Sequence, residues 1–333
     1  MRYSYFIFTV AIGILLGSCK TDEDFIGPEL VIVDPATFSF TEDLETSNDT
    51  IDFETTSASF TAKFNQRVNW TITLKGNTSG AIKTLTGTGE EIETANTNWD
   101  GSFDLETKLK LFQDEKVIAT VSVLGVEETK VDTFDIINPL KPFVLLNGFN
   151  TPEEYANPIF FISGDTPDIF TVSQETSADA PEGEGFISLY GKDIAPSGEY
   201  FIGNFGTNNG GVYDKKQVLK NSADELYLNF FLKGEGPDGT SKLEVQFEEL
   251  FGDIFSVEVS TKHTGWKFVS IPYSGFINNW AMDSNPAGQA GVREANLVKG
   301  MGFICSSLPS RKELNIAIDY ACLTIGKPLI ETE

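Results

Sequence analysis

Histidine is nearly absent from this chain, since His263 is the only one among 333 residues. A Ser-His-Asp triad and a histidine-rich metal site both need imidazoles, so both kinds of site are disfavoured. Neither G-x-S-x-G nor H-E-x-x-H occurs in the sequence. We therefore predict a protein that is not an enzyme. Carboxylates are plentiful, and sequence spacing does not show whether two of them lie ~5 Å apart in a cleft, so a glycoside hydrolase or lyase stays an alternative.

Basic residues are also few: 24 lysines and arginines stand against 49 aspartates and glutamates, and the formal net charge is −25. A surface this acidic repels phosphate backbones, and no basic patch interrupts the sequence. We therefore predict that nucleic acid is not a partner. Calcium is compatible with this charge, although acidity alone also serves solubility.

Cysteine is scarce in this chain. After Cys19 only Cys305 and Cys322 remain, both in apolar strand-like contexts. If their strands form a hairpin, the register places Cys305 nearer Ile316 than Cys322, so we expect two buried free thiols. A disulfide is the alternative in an exported protein. Phenylalanine is abundant at 27 residues, together with turn-forming glycine, asparagine and aspartate, and this composition predicts an all-β protein.

A long apolar run is missing, but a short one lies at the N-terminus. It covers residues 3–16 behind Arg2, which is shorter than the ~20 residues that span a bilayer. The Leu-Gly-Ser-Cys sequence that ends at Cys19 resembles the lipobox of bacterial lipoproteins. That resemblance implies a thioether-linked diacylglycerol on Cys19 and a signal peptide over residues 1–18. A plain signal peptide and a short membrane anchor are the alternatives.

The residues that follow Cys19 are mostly acidic. The sequence Lys-Thr-Asp-Glu-Asp at residues 20–24 resembles the export signal of Bacteroidetes surface lipoproteins. This resemblance implies a protein that is lipid-anchored in the outer membrane and faces the cell exterior. Several acyl chains on one residue exceed the two-signal threshold for stable anchoring. We predict that residues 19–30 form a flexible acidic tether.

Period-two alternation dominates residues 31–138. Apolar residues occupy every second position from Val68 to Leu74, with polar residues between them. Short strands at such spacing over about 100 residues predict an immunoglobulin-like β-sandwich. The Trp-Asp-Gly sequence at Trp99 resembles the turn of immunoglobulin-like spacer modules in bacterial surface proteins. We expect Trp70 and Trp99 in the core and at this turn rather than at a ligand site.

Two prolines, Pro139 and Pro142, precede a second module at residues 143–329. Because proline stiffens the backbone and cannot join a central ladder, we predict a hinge that spaces the two modules. Eight or nine candidate strands without a helix predict a larger β-jelly-roll. Three segments resemble carbohydrate-binding modules of the galactose-binding-like superfamily, namely LYLNFFLKGEG at 226–236, HTGWKFVSIPYSGF at 263–276 and IAIDYACL at 316–323. The resemblance implies this fold and a buried Trp266.

The same resemblance implies a structural calcium where the first and last strands of the jelly roll meet. Asp319 matches the acid of the closing strand, whereas Asn150 stands near the place of the first-strand acid. An aspartate among aliphatic neighbours needs a cation or several N–H donors. We predict a calcium site at Asp319 and Asn150, and hydrogen bonds from backbone amides to Asp319 are the alternative. We expect that no cofactor is required.

Carbohydrate recognition needs flat aromatic faces surrounded by amides and carboxylates. Two predicted loops have this composition, at residues 203–213 and 276–285. Trp280 has no obvious strand to pack with, so we expect an exposed platform. The alternative for both loops is a solvated turn with a buried aromatic side chain. The residues predicted to bind carbohydrate are Trp280, Asn279, Asn278, Asp283, Tyr213, Asn208 and Tyr200.

Together these features predict an outer-membrane surface lipoprotein that binds a polysaccharide or oligosaccharide without catalysis. It would present the glycan to an uptake or degradation system and contact an outer-membrane transporter complex. The main alternative is a structural lipoprotein whose jelly roll contacts an outer-membrane partner. A solvent-facing Trp280 with polar neighbours favours sugar, and a larger exposed apolar patch favours a protein partner.

Overall fold

In the computed structural model, the described residues are 31, 33–105, 108–151, 159–163, 170–192, 200–205, 225–249, 252–280, 291–307 and 313–330. Their regular structure consists of 18 strands and a few single-turn 3-10 helices. Within these ranges, no helix is long and apolar enough to cross a membrane. The all-β prediction is confirmed. The predicted signal peptide and tether lie outside the described residues.

The first six strands form one sheet, called the N-terminal sheet. They are β1 (Phe40–Thr46), β2 (Thr50–Asp52), β3 (Phe60–Gly76), β4 (Ile82–Ile92), β5 (Glu115–Val123) and β6 (Lys130–Ile137). Their order is β1-β3-β5-β6-β2, and β4 pairs with the other edge of β3. The long β3 pairs with β1 along its first part and with β5 along its last part. Hydrogen bonds thus join all six strands in one sheet. They do not show the two-sheet arrangement of an immunoglobulin-like domain, which stays a prediction.

Both tryptophans of this part lie in the core, as predicted. Trp70, on the buried face of β3, is 3% exposed, and Trp99 is 1% exposed. The indole N–H of Trp99 donates to the Ser102 carbonyl at 2.6 Å. Gly101 turns the chain between these two residues with φ +88°, a conformation that residues with a side chain rarely adopt.

The remaining strands form two antiparallel sheets that face each other. They are β7 (Val144–Asn147), β8 (Ile159–Ser163), β9 (Phe170–Thr176), β10 (Gly185–Lys192), β11 (Tyr200–Phe205), β12 (Leu226–Glu235), β13 (Ser241–Glu249), β14 (Ile254–Ser260), β15 (Thr264–Pro272), β16 (Ile277–Trp280), β17 (Val298–Ser307) and β18 (Glu313–Ile325). The β12 sheet has the order β15-β12-β18-β10-β9, with β7 paired to β18, and the β13 sheet has the order β16-β14-β13-β17-β11-β8. Side chains such as Phe230 and Phe247 fill the space between the sheets. This is the larger β-sandwich that the jelly-roll prediction requires.

Cys305 and Cys322 are buried and free, as predicted. The hairpin assumed for their strands is wrong, because β17 belongs to the β13 sheet and β18 to the β12 sheet. Burial raises the pKa of both thiols, so both are poor nucleophiles.

The N-terminal part packs against the outer face of the β12 sheet. One hydrophobic cluster combines Phe103, Leu109 and Phe112 of the N-terminal part with Phe231, Phe268, Tyr320, Cys322, Leu329 and Ile330 of the sandwich. Lys327 also forms an ion pair with Asp100 across this junction. The prediction that the proline segment spaces the two modules is therefore wrong. The physical reason lies in β12, where the adjacent Phe230 and Phe231 point to opposite faces and both faces are buried.

Candidate functional site

The predicted loop around Trp280 is partly a strand. Ile277–Trp280 forms β16, which pairs with β14 at the edge of the β13 sheet. The loop prediction is therefore wrong for these four residues, because so short a strand has too few alternating positions to be recognised in sequence. Asn278 is exposed, and Asn279 follows it in the strand. Asp283 lies outside the described residues.

The other predicted loop begins within β11, which runs from Tyr200 to Phe205. β11 and β16 run in the same direction and end on the same side of the β13 sheet, four strand spacings apart, or about 19 Å. Asn208 and Tyr213 follow β11 and lie outside the described residues. Tyr200 begins β11 at the opposite end of the strands, so its backbone is not close to that of Trp280.

Asp319 in β18 is completely buried, at 0% exposure. Its Oδ2 accepts a hydrogen bond from the Glu182 N–H at 3.0 Å, whereas Oδ1 has no hydrogen-bond partner among the described residues. Burial raises the pKa of Asp319 to about 8; the hydrogen bond from Glu182 opposes this rise, and the Glu182 carboxylate adds to it. A carboxyl with this pKa is mainly protonated at neutral pH.

Asn150, the other predicted calcium ligand, lies in the same neighbourhood. Its Oδ1 accepts the N–H groups of Glu184 at 2.9 Å and Gly185 at 3.0 Å, and its Nδ2 donates to the Glu182 carboxylate. Glu182 thus links Asn150 to Asp319. Over the described ranges, no group of three or more His, Cys, Asp or Glu side chains is arranged to hold a metal ion. Because two donors engage the Asn150 oxygen, these residues fit calcium poorly, and the calcium site stays a prediction.

A second buried carboxyl, Glu249, lies at the end of β13. Its Oε1 accepts the Tyr273 hydroxyl at 2.7 Å and the Glu294 N–H at 2.6 Å. Burial raises the pKa of Glu249 to about 7, and the carboxylates of Glu294 and Asp253 add to this effect. Glu249 and Asp319 are both at 0% exposure, so neither carboxyl reaches a substrate in this structure.

Beside the covered part, the outer face of the β12 sheet carries aromatic and polar side chains around Ala317, which is buried in a small cluster with Ala180 and Phe186. They lie in two neighbouring rows that run from β15 through β12 and β18 to β10, namely Trp266-Lys233-Ala317-Ser188 and Thr264-Glu235-Asn315-Tyr190. We call these two rows the Trp266 face. The backbones of Trp266 and Tyr190 are three strand spacings apart across the strands, or about 14 Å, and the offset between their two rows adds about 7 Å along the strands.

Trp266 is only partly buried, and it lies outside the core between the sheets. Its ring meets Phe186 edge to face at a centroid distance of 5.2 Å, and the Lys233 ammonium lies 5.7 Å from its centre. The prediction of a buried residue is therefore met only in part: Trp266 packs against the cluster shared with the N-terminal part and against Phe186, but on the outer face of the sheet. A signal was present in the sequence, because Val269 and Ile271 face the core and alternation places Trp266 on the opposite face.

A groove of about 530 Å³ opens beside Trp266, where the N-terminal part meets the sheet. It is lined by Lys108, Lys110, Ala178, Asp179, Lys233, Gly265 and Trp266. The groove and the Trp266 face together expose an aromatic ring, hydroxyls, amides and charged groups. Such a surface can stack on the apolar side of a sugar ring and hydrogen-bond to its hydroxyls.

No protein-family model and no curated protein sequence matches the chain. Solved structures of low sequence identity do match it. Carbohydrate-binding modules are among these structural neighbours.

The family 11 carbohydrate-binding module from Clostridium thermocellum, in complex with a β-1,3-1,4-mixed-linked tetrasaccharide, is 15% identical, with a TM-score of 0.38 over 57% of this chain and 97% of its own. A family 30 carbohydrate-binding module is 16% identical, with a TM-score of 0.34 over 58% of this chain and 87% of its own. A carbohydrate-binding module from the β-sandwich superfamily is 10% identical, with a TM-score of 0.33 over 87% of this chain and 99% of its own. This likeness concerns the fold, whereas the chemistry of the site depends on the side chains of the Trp266 face.

Proposed function

We propose that this protein binds a glycan without catalysis, through the Trp266 face. The observation that carries the proposal is the partly exposed Trp266 together with Tyr190, which is 37% exposed, on the same outer face of the sheet. Asn315 lies on β18, between the strands that carry the two aromatic residues, and supplies an amide, whereas Ser188 lies two residues before Tyr190 on β10 and supplies a hydroxyl. The backbones of Trp266 and Tyr190 are about 14 Å apart across the strands and about 7 Å apart along them, a span suited to a short stretch of a linear oligosaccharide.

Stacking of a sugar on such rings gives a modest affinity. Removing about 60 Å² of apolar ring surface from water contributes about 1.5 kcal/mol at about 25 cal/mol per Å². This corresponds to about a tenfold change in affinity for one ring. A polysaccharide that contacts many copies at a cell surface binds more strongly, because the later contacts are intramolecular.

We also propose that Cys19 carries a lipid anchor and that the protein faces outward from the outer membrane. There it would present glycan to an uptake or degradation system and contact a transporter complex. The Leu-Gly-Ser-Cys sequence and the acidic residues after it support this location. Cys19→Ala is expected to abolish incorporation of labelled palmitate and to release the protein from the membrane fraction. A variant that stays membrane-bound and labelled would contradict the anchor.

The binding site is tested with the full chain purified from membranes, by affinity electrophoresis in gels that contain individual polysaccharides. Trp266→Leu is the main variant, because it keeps an apolar side chain against Phe186 but removes the flat ring. We expect about a tenfold loss of affinity for Trp266→Leu and a several-fold loss for Tyr190→Ala. Trp280→Ala is the comparison variant for the other predicted site.

Near-UV circular dichroism and thermal unfolding establish that each variant is folded. Unchanged affinity in a folded Trp266→Leu protein would contradict the Trp266 face as the site. Loss of affinity in Trp280→Ala alone would place the site at β16 instead. If wild type binds no polysaccharide of a broad panel, glycan binding is wrong and the alternative of a protein partner gains support.

A further inference from the structure

The groove beside Trp266 is lined by more basic than acidic residues, although the protein as a whole is acidic. The chain as a whole has a formal net charge of −25. Lys108, Lys110 and Lys233 nevertheless line one groove, and Asp179 is the one acid among the described residues that line it. We call these three side chains the groove lysines. A local excess of cations in so acidic a protein indicates a ligand of opposite charge.

The groove lysines differ from several other described lysines in their contacts with acidic residues. Elsewhere in the structure lysines pair with acids, as Lys116 does with Asp135 at 3.2 Å and Lys83 with Asp104 at 3.0 Å. Within the described part of the chain, none of the groove lysines forms an ion pair. Their positive charge is therefore available to a ligand.

Neutral contacts hold two of these side chains in place. Lys108 donates to the Gly183 carbonyl, and the ammonium of Lys233 lies against the Trp266 ring. The backbone between Lys108 and Lys110 is held too, because the Leu109 N–H donates to the Pro181 carbonyl at 2.6 Å. A carbonyl and an aromatic face orient an ammonium group without removing its charge.

We propose that this groove binds the anionic group of an acidic polysaccharide, a uronate carboxylate or a sulfate ester, while the adjoining sugar ring stacks on Trp266. The inference rests on the proposed glycan binding and adds the class of glycan. Lys108 and Lys110 come from the segment between β4 and β5, whereas Lys233 and Trp266 belong to the β12 sheet. The complete site therefore needs both parts of the chain.

The charges of the protein affect such a ligand in two ways, one at long range and one at contact. The acidic surface repels a polyanion from a distance, and salt screens this repulsion over about 10 Å at 0.1 M. The three ammonium groups attract the anion at contact. Partly exposed ion pairs of this kind change an equilibrium by about 2- to 5-fold each. The protein should therefore discriminate between an acidic polysaccharide and its neutral form, rather than bind every polyanion.

The test uses the full chain in affinity electrophoresis with polygalacturonate, alginate and carrageenan. Each polymer is compared with its neutral counterpart, made by carboxyl reduction or by desulfation, so that the panel separates carboxylate from sulfate. At least one acidic polymer is expected to bind about tenfold more tightly than its neutral form. The double variant Lys108→Gln/Lys110→Gln leaves the Trp266 face intact and is expected to lose about tenfold in affinity for that polymer and less than about twofold for its neutral form.

The matched control is Lys267→Gln, which removes an exposed lysine on β15 next to Trp266. Because alternation places Lys267 on the opposite face of the strand, less than about a twofold change is expected. Arginine at positions 108 and 110 keeps the charge and should retain the preference for the acidic polymer. Equal binding of acidic and neutral polymers, or unchanged affinity in the double glutamine variant, would overturn the anionic class and leave glycan binding intact. If no polymer of either kind is bound, the proposed function itself fails.

Discussion

The outer face of the β12 sheet has two halves with different surroundings. In one half, Phe231 and Phe268 are buried in a cluster shared with the N-terminal part. In the other half, Trp266 is partly open and Tyr190 is exposed on the same face of the same sheet. The covered half contains a register shift between Asn229 and Phe231 of β12, and the N-terminal part packs over it. An aromatic residue on an outer face is thus a core residue where a second module covers it and a candidate ligand platform where none does.

The largest change in the free energy of unfolding is expected for a substitution in the covered half. Phe231→Ala removes a ring that is 2% exposed and packs against Phe268 with 5.2 Å between centroids. We expect a loss of about 3–5 kcal/mol in the free energy of unfolding. Tyr190→Ala, in the open half, should change this free energy by less than about 0.5 kcal/mol. Denaturant unfolding measures both values, and similar losses would show that the two halves do not differ in packing.

The next effect concerns Asp319, which pairs in register with Phe231. Burial raises the pKa of this carboxyl to about 8, so the folded protein keeps a proton that the unfolded chain releases near pH 4. Its contribution to stability is therefore complete below about pH 4 and is lost as the pH rises through about 8. The expected slope from this group is at most about 1.4 kcal/mol per pH unit.

Asp319→Asn removes this titration, whereas Glu249 titrates in both proteins. The difference between the two pH profiles of stability therefore isolates Asp319. We expect wild type to lose stability relative to Asp319→Asn from pH 5 to pH 8, measured by denaturant unfolding. Parallel profiles would contradict the raised pKa. A melting temperature that a chelator lowers in wild type but not in Asp319→Asn would instead support the predicted calcium.

The smallest effect concerns the ion pair between Lys327 and Asp100 at the margin of the covered half. Their side chains are 31% and 45% exposed, so solvent screens the interaction. A double-mutant cycle with Lys327→Gln and Asp100→Asn should give a coupling of about 0.2–1 kcal/mol that decreases with salt. A coupling of several kcal/mol would mean that this pair, rather than apolar packing, holds the two modules together.

Features that depend on neighbours within one strand or turn were predicted correctly. The buried positions of Trp70 and Trp99 are confirmed. The free thiols of Cys305 and Cys322 are also confirmed, although the hairpin on which that prediction was based is wrong. Site predictions depended on how strands are arranged and were less accurate. The Trp280 segment is partly an edge strand instead of a loop, and its role in binding stays a prediction.

The strand character of the chain, its acidic charge and the lipobox-like segment at Cys19 follow from the order of the amino acids, because each is local or additive. The covering of Phe231, the partial exposure of Trp266 and the meeting of Lys108 with Lys233 in one groove depend on the folded arrangement. A period of two separates the faces of a strand, but it does not specify which face meets another part of the chain. Contacts between distant segments, such as the hydrogen bond from Leu109 to Pro181, make that choice.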